Sequence, residues 1–264
     1  MKSSRALARW RSASVHLAGG FTLLTIWELA SRLGWVNAEY LPPPSLVLVQ
    51  LAVDLGSAAF WTNVGHTMLS WALGLGLATL AGCALGLLIG SSAFLRSATH
   101  STIEFLRPIP SVALIPLAVL LFGTRMGSAL MLIVYASFWQ VLLQVLYGVA
   151  DVDTVADDVA KSYGLNRFAR LRHLVWPTTL PYLMTGVRLA AAVALILAIT
   201  AELVIGSPGL GKEIALTESG GAVIEMYALI VATGLIGVLI NLAMRAIERH
   251  VLAWHPSVRS ESHA

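Results

Sequence analysis

Long apolar runs separated by short polar clusters set the rhythm of this chain. Stretches free of Asp, Glu, Lys and Arg cover 12–27, 55–95, 108–124, 126–150, 173–187 and 226–244, and 189–201 follows a lone Arg188. A helix needs roughly 20 mostly apolar residues to cross about 30 Å of hydrocarbon. The runs therefore predict six membrane-spanning helices near 15–33, 65–91, 104–122, 127–149, 179–203 and 226–246. The run 55–95 is long enough for two spans, but Gly56, Ser57, Thr62 and Asn63 crowd its first third. One span with an interfacial lead-in is the expectation there.

Charge placement orients the spans. With the N-terminus inside, the inner segments hold Lys2, Arg5, Arg9, Arg11, Arg96, Arg107, Lys161, Arg167, Arg170, Arg172, Arg245, Arg249 and Arg259. The outer segments hold only Arg32, Arg125 and Lys212, a clear positive-inside bias. Both termini are thus expected in the cytoplasm, with tails 1–14 and 254–264 flanking one membrane domain over 15–253. The basic start followed by an apolar core also has the form of a signal peptide. No small-x-small cleavage site follows it, and Trp27-Glu28-Leu29 carries the segment on toward Arg32, so a retained helix is expected.

Composition agrees with an all-α integral membrane protein. Of 264 residues, 57% are hydrophobic and 12% are charged, about half the charge of an average soluble domain. The high apolar fraction, aperiodic glycines and single cysteine exclude a disordered, collagen-like or disulfide-built chain. The net charge of +3 follows from membrane orientation and calls for no nucleic-acid partner, since the basic residues are split among four segments. Cys83 falls mid-span, where it reads as a small packing residue.

Between the first two spans, Leu41-Pro42-Pro43-Pro44-Ser45 forces an extended turn, and the apolar segment 46–60 is expected at the outer interface. The second span carries Ser70, Gly74, Ala78, Gly82, Gly86 and Gly90, a small residue at every fourth position. Such a face admits close approach by another helix, either within the bundle or in a dimer. Gly90-Ser91-Ser92 faintly resembles an intramembrane serine-protease turn, but no paired histidine accompanies it.

The inner connection 150–177 is long and patterned, and long connections in compact domains usually have a role. Val152, Val155, Ala156, Val159, Ala160 and Tyr163 follow helical spacing. Asp153 and Thr154 suit an N-cap, Asp157 and Asp158 place negative charge in the early turns, and Gly164 stops the helix. Asn166 suits the cap of a second short helix, and Pro177 is expected to end the segment. Periodicity and charge fit a protein-docking loop and an amphipathic hairpin on anionic lipid equally well.

Asp158-Val159-Ala160, then Gly164, then Leu174-x-Trp176-Pro177 resembles the EAA loop of binding-protein-dependent ABC importer permeases. That pattern is Glu-Ala-Ala, three residues, Gly, nine residues and Ile-x-Leu-Pro, and its spacing is matched throughout. The departures keep charge or apolar character, with Trp176 the bulkiest. Leu41-Pro42-x-Pro44-Ser45, the block Leu106-Arg107-Pro108-Ile109-Pro110-Ser111, and Leu180-Pro181-Tyr182 through Arg188 are similar to the nitrate/sulfonate/taurine branch.

The resemblance implies a type I ABC importer permease-like fold and a pathway subunit rather than an enzyme. It further implies a cytoplasmic ABC ATPase that holds ATP and Mg²⁺, so that this chain carries no cofactor or metal. A second permease subunit, expected as a homodimer, and an outer substrate-binding protein complete the implied bacterial inner-membrane complex. Asp157, Asp158, Val159, Ala160, Gly164, Leu174, Trp176 and Pro177 are the implied coupling residues.

Two further features bear on chemistry. Gly206-Ser207-Pro208-Gly209-Leu210-Gly211-Lys212 approaches a phosphate-binding loop, but Glu213 stands where a hydroxyl is needed and the stretch is expected outside. Ionisable groups within spans are costly and default to functional candidates. Glu28 reads as reaching the interface. Glu104 and Arg107 read as a structural ion pair or a pathway element. Arg188 reads as a bundle anchor or an attraction site for anions, and Glu202 as a gate or a cap of the bundle. Rival classes are an ion-gradient-driven secondary transporter, an intramembrane enzyme and an assembly subunit. Aromatic or vitamin-precursor cargo is a rival within the family.

Overall fold

The computed structural model describes residue 19 and residues 21–254, and the regular structure in them is entirely helical. The expected tail 1–14, the start of the first span and residues 255–264 lie outside the described residues. The chain divides into two units, 1–61 with 214–232 and 62–213 with 233–264.

In the first unit, a helix over 21–32 (α1) is followed by a proline-rich turn and by α2, Pro44–Leu55. Pro43 is extended, with φ −64° and ψ 138°, so the carbonyls of the turn point away from any helical partner. Side chains supply the missing donors. Tyr227 hydroxyl donates to the Tyr40 carbonyl, Ser31 hydroxyl to Leu41 and the Trp27 indole to Pro42, at 3.0, 2.8 and 3.1 Å. Glu28 does more than reach the interface: its carboxylate accepts the Ser45 N–H and hydroxyl at the start of α2 and pairs with Arg32. α2 buries Val47 and Leu51 and exposes Leu48, Val49 and Val53. Trp35 and Tyr40 are exposed, as aromatic rings at a membrane boundary are.

The second unit contains most of α3, Ala58–Gly90, then α4, Ala93–Leu106. A 3₁₀ turn over Ser111–Leu114 leads into α5, Ile115–Phe122, and α6 is Met126–Ala150. α7, Thr154–Ser162, and α8, Arg167–Arg170, form the inner connection. α9 is Trp176–Ile205, while α10, Leu210–Ser219, and α11, Val223–Val251, give residues 214–232 to the first unit and the rest to the second. Its core joins β-branched and leucine side chains of α6 (Leu132, Ile133, Val141, Val145) to the small face of α9 (Ala190, Ala191, Ala194, Ala198, Ala201). Close backbone approach through small residues is the means of helix association where lipid gives no hydrophobic drive.

The glycines of α3 belong to the same packing. A Cβ at Gly74 would lie 2.4 Å from Ile133, at Gly82 2.9 Å from Val141, at Gly86 2.7 Å from Val145 and at Gly90 2.9 Å from Val149. This face is filled from within the protomer by α6.

Among the described residues, α3, α6, the track Arg167–Ile205 and α11 are long and apolar enough to cross a membrane. The expected single span 104–122 is instead broken: α4 and the helix resuming at Ser111 meet at 81°. Pro108 and Pro110 remove the N–H groups that would bond the carbonyls of Glu104 and Leu106. The Leu106 carbonyl is recovered by the Tyr135 hydroxyl at 2.6 Å, which stabilises the break.

Candidate functional site: the inner loop and the outer turn

α7 begins where Asp153 accepts the Val155 N–H at 2.8 Å and ends at Gly164, whose φ of +73° is a left-handed conformation that glycine adopts at little cost. Asn166 then caps α8, accepting the Ala169 N–H at 2.8 Å. Across this bend the Arg170 guanidinium donates to Asp157, with Nε at 2.8 Å, and Lys161 reaches both Asp157 and Asp158 at 2.9 Å. Lys161 and then Arg170 hold the Asp157 carboxyl below its ordinary range, and the two carboxylates raise Lys161. The neighbours thus differ. Asp157 is turned inward as a staple between two helices, whereas the Asp158 side chain is 74% exposed.

α7 has no buried residue, and Val155, Val159 and Tyr163, four apart, form an exposed apolar stripe beside Asp158. Leu174 and Pro177 are half-buried and Trp176 is exposed. Pro177 does not end the segment, as the sequence led us to expect. The helix continues from Arg167 to Ile205 through a π-helical turn at Leu171–Val175, where the Trp176 N–H bonds the Leu171 carbonyl. The wider turn eases the clash between a proline ring and the carbonyl four residues back. Tyr182 fastens this helix to the end of α6, donating to Asp151 at 2.8 Å.

At the other end of α9, Glu202 is 1% exposed. Its carboxylate accepts the Thr67 hydroxyl at 2.8 Å, the Gly211 N–H at 3.0 Å and the Ser70 hydroxyl at 3.5 Å. Thr67 in turn accepts the Leu210 N–H at 3.0 Å. Two of the unpaired N–H groups that begin α10 are therefore satisfied by Glu202 and its partner Thr67. The glycines make room: a Cβ at Gly209 would lie 2.2 Å from the Glu202 carboxyl carbon, and one at Gly211 would lie 2.3 Å from the Ile199 carbonyl. The stretch that approaches a phosphate loop in sequence is, in structure, a turn folded over a carboxylate.

Residues 78–253 match the family described as the binding-protein-dependent transport system inner membrane component. The chain belongs to this family. The taurine transport system permease protein TauC of Escherichia coli is 30% identical over 98% of this chain and 97% of its own. The nitrate import permease protein NrtB of Leptolyngbya laminosa is 28% identical over 88% and 85%. Among solved structures, the inward-facing MetNI methionine ABC transporter contains a chain with TM-score 0.63 at 18% identity, covering 73% of this chain and 96% of that one. The fold is that of an ABC importer permease, and the curated relatives are permease subunits rather than enzymes.

Arg188, Glu104 and Arg107 lie elsewhere in this permease. Arg188 donates to Glu248 of α11 at 3.1 Å, beside a cavity of about 180 Å³ lined by Asn241 and Met244. Glu104 and Arg107 do not pair with each other; Glu104 lies 3.5 Å from His100. Sequence reasoning did not single out Thr67, the partners Arg170 and Glu248, or Tyr135. Ser70 and Thr67 share a face of α3, and a buried carboxylate near a hydroxyl pair is the signal that points to them.

Proposed function

We propose that this permease forms the pathway for a small anionic solute of the taurine, sulfonate or nitrate kind. We further propose that a separate ATPase, carrying ATP and Mg²⁺, drives transport through the loop 150–177. The observation that carries the reading is α7, a capped helix exposing Val155, Val159 and Tyr163 next to Asp158. An exposed apolar stripe with one acidic flank fits a groove with a basic rim on a partner protein. The bias in lysine and arginine placement supports a cytoplasmic side for this loop and for both termini, in a bacterial inner membrane. An outer binding protein delivers cargo, and a second copy of the permease completes the pathway within the lipid.

In this reading Asp158 and the apolar stripe meet the ATPase, Gly164 sets the bend, and Leu174, Trp176 and Pro177 join the loop to α9. Reconstitution with a partner ABC ATPase and a substrate-binding protein tests it. ATP-dependent uptake is expected in the full complex and none from the permease alone, which an ion-gradient transporter would support. Gly164→Asp, placing a side chain at φ +73°, is expected to abolish substrate-stimulated ATPase activity. Full activity of that variant would overturn the assignment of the loop.

A further inference from the structure

While the glycine face of α3 packs on α6, another face of the same helix is a stripe of exposed apolar side chains. Leu69, Leu73, Leu77, Leu80, Ala84 and Leu88 follow at steps of three or four, and all are exposed. From Leu69 to Leu88 the stripe runs roughly 28 Å, close to the hydrocarbon thickness of a bilayer, about 30 Å. It ends in a cavity of about 790 Å³, where Leu88 meets Ser92, Val149, Arg167, Phe168 and Leu171. The cavity is basic above an apolar floor, and among the described residues no aspartate or glutamate lines it. Arg170 lines it too, but is engaged by Asp157. Arg167 forms no ion pair among the described residues. The Ser92 hydroxyl accepts the Leu95 N–H at 3.4 Å, which leaves its own proton to donate. Phe168, beside Arg167 on α8, is 70% exposed.

We propose that this cavity binds an anionic phospholipid of the cytoplasmic leaflet, its phosphate on Arg167 and Ser92 and one acyl chain laid along Leu88 and the α3 stripe. An arginine at the end of a hydrocarbon-long stripe sits at headgroup level, where its stem rests on apolar surface and its planar fork meets phosphate. A free anion has no use for the apolar floor, and a zwitterionic headgroup brings its own cation against Arg167. Basic pockets between helices on the cytoplasmic side suit anionic headgroups for these reasons. The acids of α7, Asp157 and Asp158, keep that helix off the same lipid. Lipid and partner protein are thus met by different helices of the loop, α8 by the membrane and α7 by the ATPase. Arg170 carries the staple to Asp157 three residues from Arg167, so a lipid held at Arg167 steadies the base on which α7 stands. The site lies in the cytoplasmic leaflet only if the loop does, and so it rests on the proposed orientation.

The test is lipid retention by the permease–ATPase complex in nanodiscs of equal parts phosphatidylglycerol and phosphatidylcholine, read by native mass spectrometry. Retained phosphatidylglycerol is expected to exceed phosphatidylcholine about three-fold or more. A phosphatidylglycerol with a photoreactive acyl chain is expected to label the peptides that hold Leu88 and Phe168. Arg167→Gln is expected to weaken phosphatidylglycerol binding about five-fold, the loss of one headgroup cation, and Arg167→Lys to keep it within about two-fold. Arg172→Gln removes an equal charge that does not line the cavity and is expected to change binding by less than about two-fold. Equal retention of the two lipids, or an equal loss in Arg172→Gln, overturns the proposal. Release of the lipid by millimolar glycerol phosphate marks a site for free anions and overturns it too. So does a disulfide between two copies of Leu88→Cys, which gives the surface to a second permease. Loss of the ATPase from Arg167→Gln with lipid binding unchanged gives it to the motor instead. Labelling of Ser162→Cys by an impermeant maleimide added to intact cells overturns the cytoplasmic placement of the loop. Unaltered lipid binding in Arg167→Gln overturns this inference alone.

Discussion

Asp157 on α7 accepts two hydrogen bonds from the Arg170 guanidinium on α8, across the bend at Gly164. The two short helices are thereby held at one angle by a charge-assisted pair, with Lys161 closing its other side.

The staple predicts a separation of roles between adjacent aspartates. Asp157→Ala is expected to speed amide exchange across 154–171 and to lower substrate-stimulated ATPase activity several-fold. Asp158→Ala is expected to leave exchange unchanged while weakening the association with the ATPase. Exchanging the charges, Asp157→Arg with Arg170→Asp, is expected to restore slow exchange. Hydrogen-exchange mass spectrometry of the assembled complex reads all three.

The same staple sets a pH window. The Asp157 carboxyl is lowered in the folded loop, so its contribution is complete above the ordinary aspartate range near about pH 4 and is lost as pH falls through its lower folded value. Lys161 is raised, so its contribution is complete below about pH 10.4 and is lost only as pH rises through its higher folded value. Amide exchange in the loop, corrected for intrinsic rates, is expected to be flat from about pH 5 to 9. A transition within that interval would contradict the pairing.

Glu202 holds the outer turn through donors, so its replacement leaves them unmatched. Glu202→Gln places an amide N–H₂ among the Thr67, Ser70 and Gly211 donors and is expected to cost about 1–3 kcal/mol. Thr67→Val removes one bond to Glu202 and the acceptor for Leu210, so the two substitutions are expected to be coupled by about 0.5–3 kcal/mol. Thermal unfolding of the purified permease in a double-mutant cycle measures this coupling.

Arg188 and Glu248 give a cleaner separation of structure from transport. Arg188→Leu leaves a half-buried carboxylate unpaired, and the damage is expected to be relieved in part by adding Glu248→Gln. If uptake of anionic cargo stays lost when assembly is recovered in the double variant, Arg188 also attracts the solute. Recovery of both shows an anchor alone.

The α3 glycines predict a positional contrast. Gly82→Val or Gly86→Val drives a side chain into Val141 or Val145 and is expected to destabilise by about 1–3 kcal/mol or more. Gly76→Ala meets nothing within 4 Å and should be tolerated. Melting temperatures in detergent distinguish the two.

Helical class, membrane character and the family were legible in the sequence because apolar run length, basic placement and motif spacing are local or one-dimensional signals. The break after Leu106 was not, although Pro108 and Pro110 stand in plain view. Apolar character persists through 108–124, and run length alone cannot tell a straight helix from a bent one. Pro177 misled in the opposite direction. Proline normally argues for a helix boundary, but a π-helical turn beside it kept the helix unbroken. The closure of the Gly206–Gly211 turn over Glu202 was hidden because Thr67 and Glu202 lie 135 positions apart. No periodicity reports which distant hydroxyl a buried carboxylate will find.

The unbroken helix past Pro177 has a mechanical consequence. From Arg167 to Ile205 it is 39 residues, a rod of roughly 58 Å. One end carries the 150–177 loop and the other the Glu202 carboxylate that fastens the Gly206–Gly211 turn. A rod ties its ends together, so a tilt imposed at the loop swings the Glu202 end in the same stroke, with no relay of separate parts between them. Its compliant stretch runs from the π-helical turn at Leu171–Val175 to Pro181, where backbone hydrogen bonding departs from the regular helix. Its stiffness decides how much of a displacement at the loop arrives at the Glu202 end.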